Sequence, residues 1–184
     1  MAVKLQSGQP GVRRALVIGG SMSGLFAGLL LRRHGWQTDV YERVETELSG
    51  RGAGIVAQPE LIERLRSLGL DPADLGVGVT TRKILDLSGR VAFEIDCPQV
   101  LTAWERVYRV LRDAFPPEHY HRGKELVRFE QESGVVAAHF SDGSVAEGDL
   151  LVGADGIRSY VRQRCLPDLV PLYAGYVAWR ALIA

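Results

Sequence analysis

Cysteine is nearly absent. Cys97 and Cys165 stand alone, without the paired spacing of a metal site or a disulfide framework. A disulfide-stapled scaffold and a zinc module are thereby excluded, and a reducing compartment is the expected setting. An excess of either charge is also lacking, with 22 Lys+Arg against 22 Asp+Glu. That balance removes the general attraction to nucleic acid or anionic membrane that a basic chain would have. The first stretch, MAVKLQSGQPGVRR, has no apolar core long enough for a signal peptide. The apolar run Leu25 to Leu31 is too short to span a bilayer and is interrupted by Gly28. Internal repeats and low-complexity segments are missing as well. The expectation is a cytoplasmic protein with no nucleic-acid, membrane or metal partner.

What is present is a chain of 184 residues, 46% of them hydrophobic, enough for an ordinary domain core. Residues 1–13 read as a flexible leader. The segment from Arg14 to Leu31, RALVIGGSMSGLFAGLLL, is the most informative stretch. A strand over 15–19 breaks at Gly19-Gly20 and gives way to a helix over 22–34 that closes near Gly35. Trp36 to Tyr41 reads as a second strand ending at Glu42, and 43–54 as a loop rich in glycine and charge. Pro59 opens a helix that runs to Leu68. Two strands, Arg82–Leu87 and Arg90–Ile95, join at Ser88-Gly89 in a hairpin. Thr102 is expected to cap the helix AWERVYRVLRDAF, whose apolar face is Trp104, Val107, Val110 and Leu111. Strands over 124–130, 134–140 and 144–152 read as a β-meander. Ser159 to Cys165 reads as a helix, and Tyr173 to Ile183 as a further strand.

Strand, glycine turn and helix in this order form a dinucleotide-binding unit. The free N–H groups and positive dipole end of the helix attract a pyrophosphate. Gly19 permits the tight turn, and Gly24 lets the helix pack on the sheet. Ser21 holds the middle slot of G-x-G-x-x-G, where a hydroxyl is able to donate to a phosphate oxygen. Glu42 ends the second strand roughly 20 residues on, where an acid accepts from ribose hydroxyls and repels a 2′-phosphate. Arg43 and Arg51 offer planar forks suited to phosphate. Gly153-Ala154-Asp155-Gly156 follows a strand end, the place where open α/β sheets bind ligands, although an Asp-Gly pair there by itself more often marks just a turn. His34, His119, His121 and His139 are scattered without a convincing acid–base or metal partner. His119 and His121 share a face at period-two spacing and read as a polar edge segment.

Taken together, VIGGSMSGL, DVYER, LSGRGAGIV, TAWERVYRVLRDAF, DLLVGADGIRSYVR and YAGYVAWR resemble, in order and spacing, the FAD-dependent aromatic hydroxylases of the p-hydroxybenzoate and salicylate hydroxylase type. The GGS-x-SG turn and LSGRGAGI loop are most similar to the 2,6-dihydroxypyridine hydroxylase branch. The resemblance implies an α/β fold, a Rossmann-like FAD/NAD(P)-binding domain of the glutathione-reductase type with an inserted β-meander. It implies a FAD-binding domain over 14–170 whose hairpin 82–96 reaches toward a substrate domain. Residues 171–184 would then be the first strand of that domain, otherwise absent, as in a truncated chain. Gly19, Gly20, Ser21, Met22, Ser23 and Gly24 would form the pyrophosphate turn, and Glu42 would bind the adenosine ribose. Arg43 would lie beside the adenine and Arg51 near the flavin. Val127 would meet adenine through its backbone, while Gly153 and Asp155 would support the pyrophosphate and ribose. Many relatives carry an Arg where this chain has Trp104, so one implied flavin–phosphate contact lacks its usual Arg, although Arg106 and Arg109 lie nearby.

The implied activity is hydroxylation of an aromatic or heteroaromatic ring with O2, through a flavin hydroperoxide, with NADH or NADPH as electron donor. No catalytic acid or base is assigned, because the cofactor carries the chemistry. A homodimer is left open. An NAD-dependent dehydrogenase is a weaker reading, since a simple Rossmann half would continue with another βα unit in place of a meander. A non-catalytic nucleotide-binding fragment is a third.

Overall fold

The computed structural model describes residues 11–48, 50 and 54–177. These fall into two compact units, one from residues up to 49 together with 108 onward, the other from 50 to 107.

The first unit is built on β1 (Arg14–Ile18), all five residues of which are buried. A continuous apolar run of that kind suits a strand covered on both faces of a parallel sheet. Helix α1 (Met22–Arg33) follows, and then β2 (Gln37–Tyr41), parallel to β1. Helix α1 buries Gly24, Leu25 and Gly28, so its small residues set how closely it lies on the sheet. No acid stands in its first turn, while Arg32 and Arg33 occupy its last, so no side chain of the helix itself offsets its positive N-terminal end.

The second unit contains β3 (Gly54–Ala57), helix α2 (Pro59–Ser67), β4 (Val77–Leu85) and β5 (Val91–Ala103). Its antiparallel sheet runs β3-β5-β4. The hairpin is longer on both arms than the alternation in 82–95 suggested. Its tip is fixed by Asp86, whose Oδ1 accepts from the Ser88 N–H at 2.8 Å and the Arg90 N–H at 3.0 Å. Strand β3 lies at the end of what the sequence presented as loop. Thr102 does not cap a helix. It lies in β5, and its hydroxyl donates to the Leu75 carbonyl, tying the strand to the segment before β4.

Helix α3 (Trp104–Ala114) carries the chain back to the first unit. Val107 and Leu111 of the expected face are buried, joined by Tyr108 and by Phe115 just beyond the helix, while Trp104 and Val110 are only half-buried. A 3-10 turn (Pro117–His119) leads into β6 (Tyr120–His121), which pairs parallel with β2 and was not anticipated. The meander follows as β7 (Leu126–Glu132), β8 (Val135–Phe140) and β9 (Val145–Gly148).

The single strand expected over 144–152 is two strands in two sheets. β9 ends the meander, and β10 (Leu150–Gly153) joins the parallel sheet, whose order is β10-β1-β2-β6. The switch occurs at Asp149. Its N–H donates to the Arg14 carbonyl at 2.8 Å, and its carboxylate accepts from the Arg14 N–H at 2.6 Å. Leu16, Ile18 and Tyr41 of the parallel sheet form one core with Leu126, Val136, Ala138, Phe140 and Ala146 of the meander. Helix α4 (Tyr160–Cys165) closes the unit, capped by Ser159, whose side chain accepts from the Arg162 N–H. Residues 173–177 carry no strand, and the rest of the strand expected there lies outside the described residues, as do residues 1–10 of the expected leader. No described helix is long and apolar enough to cross a membrane.

Candidate cofactor site

The site is assembled where β1, β2 and β10 end side by side. β1 leaves the sheet at Gly19, whose φ of +107° is strained for any residue with a side chain. A Cβ there would stand 2.3 Å from the Ala154 carbonyl oxygen, so the turn is pressed against the end of β10. A Cβ on Gly24 would stand 1.8 Å from the Gly19 carbonyl oxygen, which makes the turn and the first coil of α1 one close-packed piece. Ser21 is the N-cap of α1, yet its side chain makes no capping bond. The first intrahelical bond runs from the Leu25 N–H to the Ser21 carbonyl at 3.0 Å. The N–H groups of Met22, Ser23 and Gly24 therefore have no partner within the helix.

Glu42 is buried and reaches back to this turn. Its Oε2 accepts from the Gly20 N–H at 2.8 Å, and its Oε1 accepts from the Val44 N–H at 3.0 Å. A carboxylate has about four lone-pair directions, so two remain for further donors. Arg43, next in sequence, is exposed. Arg51 lies outside the described residues. Val127 sits at a bulge in β7. The pairing passes from Leu126–Phe140 directly to Arg128–His139, which leaves Val127 as the extra residue with its backbone released from the ladder.

Asp155 has local partners. Its Oδ2 accepts from the Tyr160 N–H at 2.7 Å and the Val161 N–H at 3.2 Å, and its Oδ1 accepts from the Ser159 hydroxyl. The carboxylate thus fastens the start of α4 beneath the end of β10. Gly153 packs on the same helix, since a Cβ there would stand 2.8 Å from the Val161 side chain.

Two features of the site were not legible in the sequence. The first is Tyr120, whose hydroxyl donates to the Gly20 carbonyl at 2.9 Å. Its ring lies 4.2 Å beneath the Arg112 guanidinium. Beside it Tyr108 donates to Glu47, which is also paired with Arg122. Burial pushes the hydroxyls of both Tyr108 and Tyr120 above the ordinary tyrosine range. The second is Asp39, buried one strand position before Val40. The Arg14 Nε donates to its Oδ2 at 3.0 Å. His119 Nδ1 and His121 Nε2 lie 2.9 and 3.0 Å from its Oδ1. The two histidines that lacked an evident partner thus share one carboxylate. Burial alone would raise the Asp39 pKa. The hydrogen bonds from His121 and His119 and the Arg14 charge outweigh it and hold it at about 2. The only sequence signal was a lone acid inside the otherwise buried run TDVY. Among the described residues no cluster of His, Cys, Asp and Glu is arranged to hold a metal ion.

Residues 13–169 match the FAD binding domain family. The chain belongs to this family. The domain is 42% identical over 175 residues to a 2,6-dihydroxypyridine 3-monooxygenase of Paenarthrobacter nicotinovorans, covering 95% of this chain and 44% of that protein. A 6-hydroxynicotinate 3-monooxygenase of Pseudomonas fluorescens is 30% identical over 182 residues, covering 92% of this chain and 47% of its own. Among solved structures, 2,6-dihydroxypyridine-3-hydroxylase from Arthrobacter nicotinovorans superimposes with a TM-score of 0.82 at 41% identity, over 91% of this chain and 42% of that one. HpxO of Klebsiella pneumoniae, solved with FAD and uric acid, gives 0.72 at 27% identity, over 84% and 42%. The chain spans less than half the length of these relatives.

Proposed function

We propose that this FAD-binding domain serves an NAD(P)H-dependent flavoprotein monooxygenase that hydroxylates an aromatic or heteroaromatic ring with O2. The observation that carries the reading is the fit between the glycine turn and a nucleotide. The turn is packed so closely that a Cβ at Gly19 or Gly24 would strike backbone, and it presents a helix end with three N–H groups lacking helical partners. A buried acid at the end of the neighbouring strand keeps two lone-pair directions for a ribose.

In this reading the Met22, Ser23 and Gly24 N–H groups, with the uncapped Ser21 hydroxyl, hold the pyrophosphate. Gly19 and Gly20 shape the turn. Glu42 accepts from the adenosine ribose hydroxyls and disfavours a 2′-phosphate there. Val127 meets the adenine through its bulged backbone, with Arg43 on the same side and Arg51 toward the flavin. Gly153 and Asp155 act by holding α4 against β10, which keeps Ala154 pressed on Gly19. When bound, the flavin supplies the redox chemistry with O2. The chain's own groups bind it, orient it and exclude water. The hairpin 82–96 is assigned to the substrate side, and the electron donor is NADH or NADPH.

The reading is supported by the dihydroxypyridine and hydroxynicotinate activities named for the relatives, which point to an electron-rich nitrogen heterocycle. The cytoplasm is the proposed location. Titration of the purified chain with FAD, followed through the flavin absorption bands, tests the core of the reading. Saturable binding with a perturbed flavin spectrum is expected, and no binding at millimolar FAD would sink it. NAD(P)H oxidation stimulated by hydroxypyridines then distinguishes a working enzyme from a cofactor-binding unit.

A further inference from the structure

We propose that Tyr120 is a positioning residue for the glycine turn: its hydroxyl sets the direction in which the Ser21 N–H points. The inference rests on the reading of that turn as the pyrophosphate site. The Gly20 residue is held from both sides. Its N–H donates to Glu42 Oε2 at 2.8 Å, and its carbonyl accepts from Tyr120 Oη at 2.9 Å. The peptide joining Gly20 to Ser21 is planar and trans, so its C=O and N–H point in opposite directions. With the carbonyl anchored on Tyr120, the Ser21 N–H is turned to the face of the turn away from Tyr120. Ser21 is the N-cap of α1, so this N–H joins the unpaired N–H groups of the first helical turn as a donor.

Tyr120 is itself held firmly enough to act this way. It is buried, it pairs with Val40 through β6, and the next residue's carbonyl accepts from the Glu42 N–H at 2.8 Å. Its ring meets Phe115 edge-on at 6.5 Å and lies 4.2 Å under Arg112. The fit at Gly20 is tight, because a Cβ there would stand 2.3 Å from Tyr120 Oη. Burial keeps the hydroxyl protonated, and so a donor, across the neutral range. The same strand β6 thus orders the backbone of Glu42 and the carbonyl of Gly20.

The test is Tyr120→Phe in the whole 184-residue chain. It keeps the ring and removes the donor. FAD affinity is expected to fall roughly tenfold, as for a buried carbonyl left without its partner. At saturating FAD the 31P resonances of the bound pyrophosphate should also move relative to the wild-type chain, which a loss of stability alone would not cause. Tyr41→Phe is the control. It removes a hydroxyl from the face of β2 occupied by Phe140 and His121, and its 31P spectrum should match the wild type. Wild-type affinity and unmoved 31P resonances in Tyr120→Phe would overturn the inference and leave FAD binding standing. Failure of the wild-type chain to bind FAD would overturn the cofactor reading and this role with it. Should Tyr120→Phe not fold, the Ser21 amide resonance of the wild-type chain decides. It is expected to move downfield on adding FAD, and a resonance that stays in place counts against the proposal.

Discussion

At the glycine turn the N–H and carbonyl of Gly20 are each met by a side chain inside a buried frame, whereas the β4–β5 hairpin leaves much of its surface to solvent. Glu42, the Gly20 peptide and the Tyr120 hydroxyl satisfy one another, and neighbouring Asp39 binds Arg14, His119 and His121. On the hairpin, Ile84 faces Phe93 and Arg82 faces Ile95, all exposed, while the other face pairs Lys83 with Glu94 at 3.4 Å. The contrast shows two ways of specifying backbone. At the turn, shape comes from close contacts and buried partners that tolerate no added atom. Along the hairpin it comes from the ladder and the Asp86 turn, and the side chains add little within this chain.

The largest effect is expected from removing the buried charge that the turn's strand is built on. Asp39→Ala removes the buried carboxylate that Arg14, His119 and His121 share and should cost about 4 kcal/mol in a urea melt. A loss under 1 kcal/mol would mean that the cluster is as dispensable as the hairpin pair. Gly24→Ala forces a methyl against the Gly19 carbonyl and should cost about 3 kcal/mol, with FAD affinity reduced as well. An unchanged melting temperature would show that the turn yields as easily as the hairpin.

Acid sharpens the same contrast. The Asp39 pKa is lowered from 3.8 to about 2, so the folded state favours its charged form. That contribution, roughly 2 kcal/mol, is complete above about pH 4 and fades as pH falls through 2. Asp39→Asn should flatten the stability profile between pH 4 and 2, and a profile of unchanged slope would remove Asp39 as its cause. Glu42→Ala should weaken FAD binding by about 2 kcal/mol, read by titration. Equal affinity would move the ribose elsewhere. The smallest effect belongs to the hairpin. Phe93→Ser, at an exposed position, should change the melting free energy by less than about 0.5 kcal/mol. A larger loss would show that this face is covered.

The parts of the fold legible in the sequence were those with a local signal. β1, α1 and β2 were marked by a buried run, a glycine turn and a periodic helix. The meander was marked by Ser133-Gly134 and Asp142-Gly143, and Glu42 by its place at a strand end. Strand β6 was illegible because two residues, Tyr120 and His121, are too short to show a period. The division of 144–152 was illegible because alternation does not reveal which neighbour a strand pairs with. At Asp149 the chain changes sheets while keeping one pattern. Val127 fell on a strand either way, and only the pairing of β7 with β8 shows it as the extra residue of a bulge.

By itself the sequence determined the glycine turn, the acid after β2 and the family they belong to, because backbone torsion, dipole and charge act over a few residues. Tertiary structure alone decided what holds that turn in shape. Tyr120 reaches Gly20 across a separation of 100 residues, and His119 and His121 reach Asp39 across 80 and 82. Such contacts are chosen by the order of strands in the sheet, which no local pattern encodes.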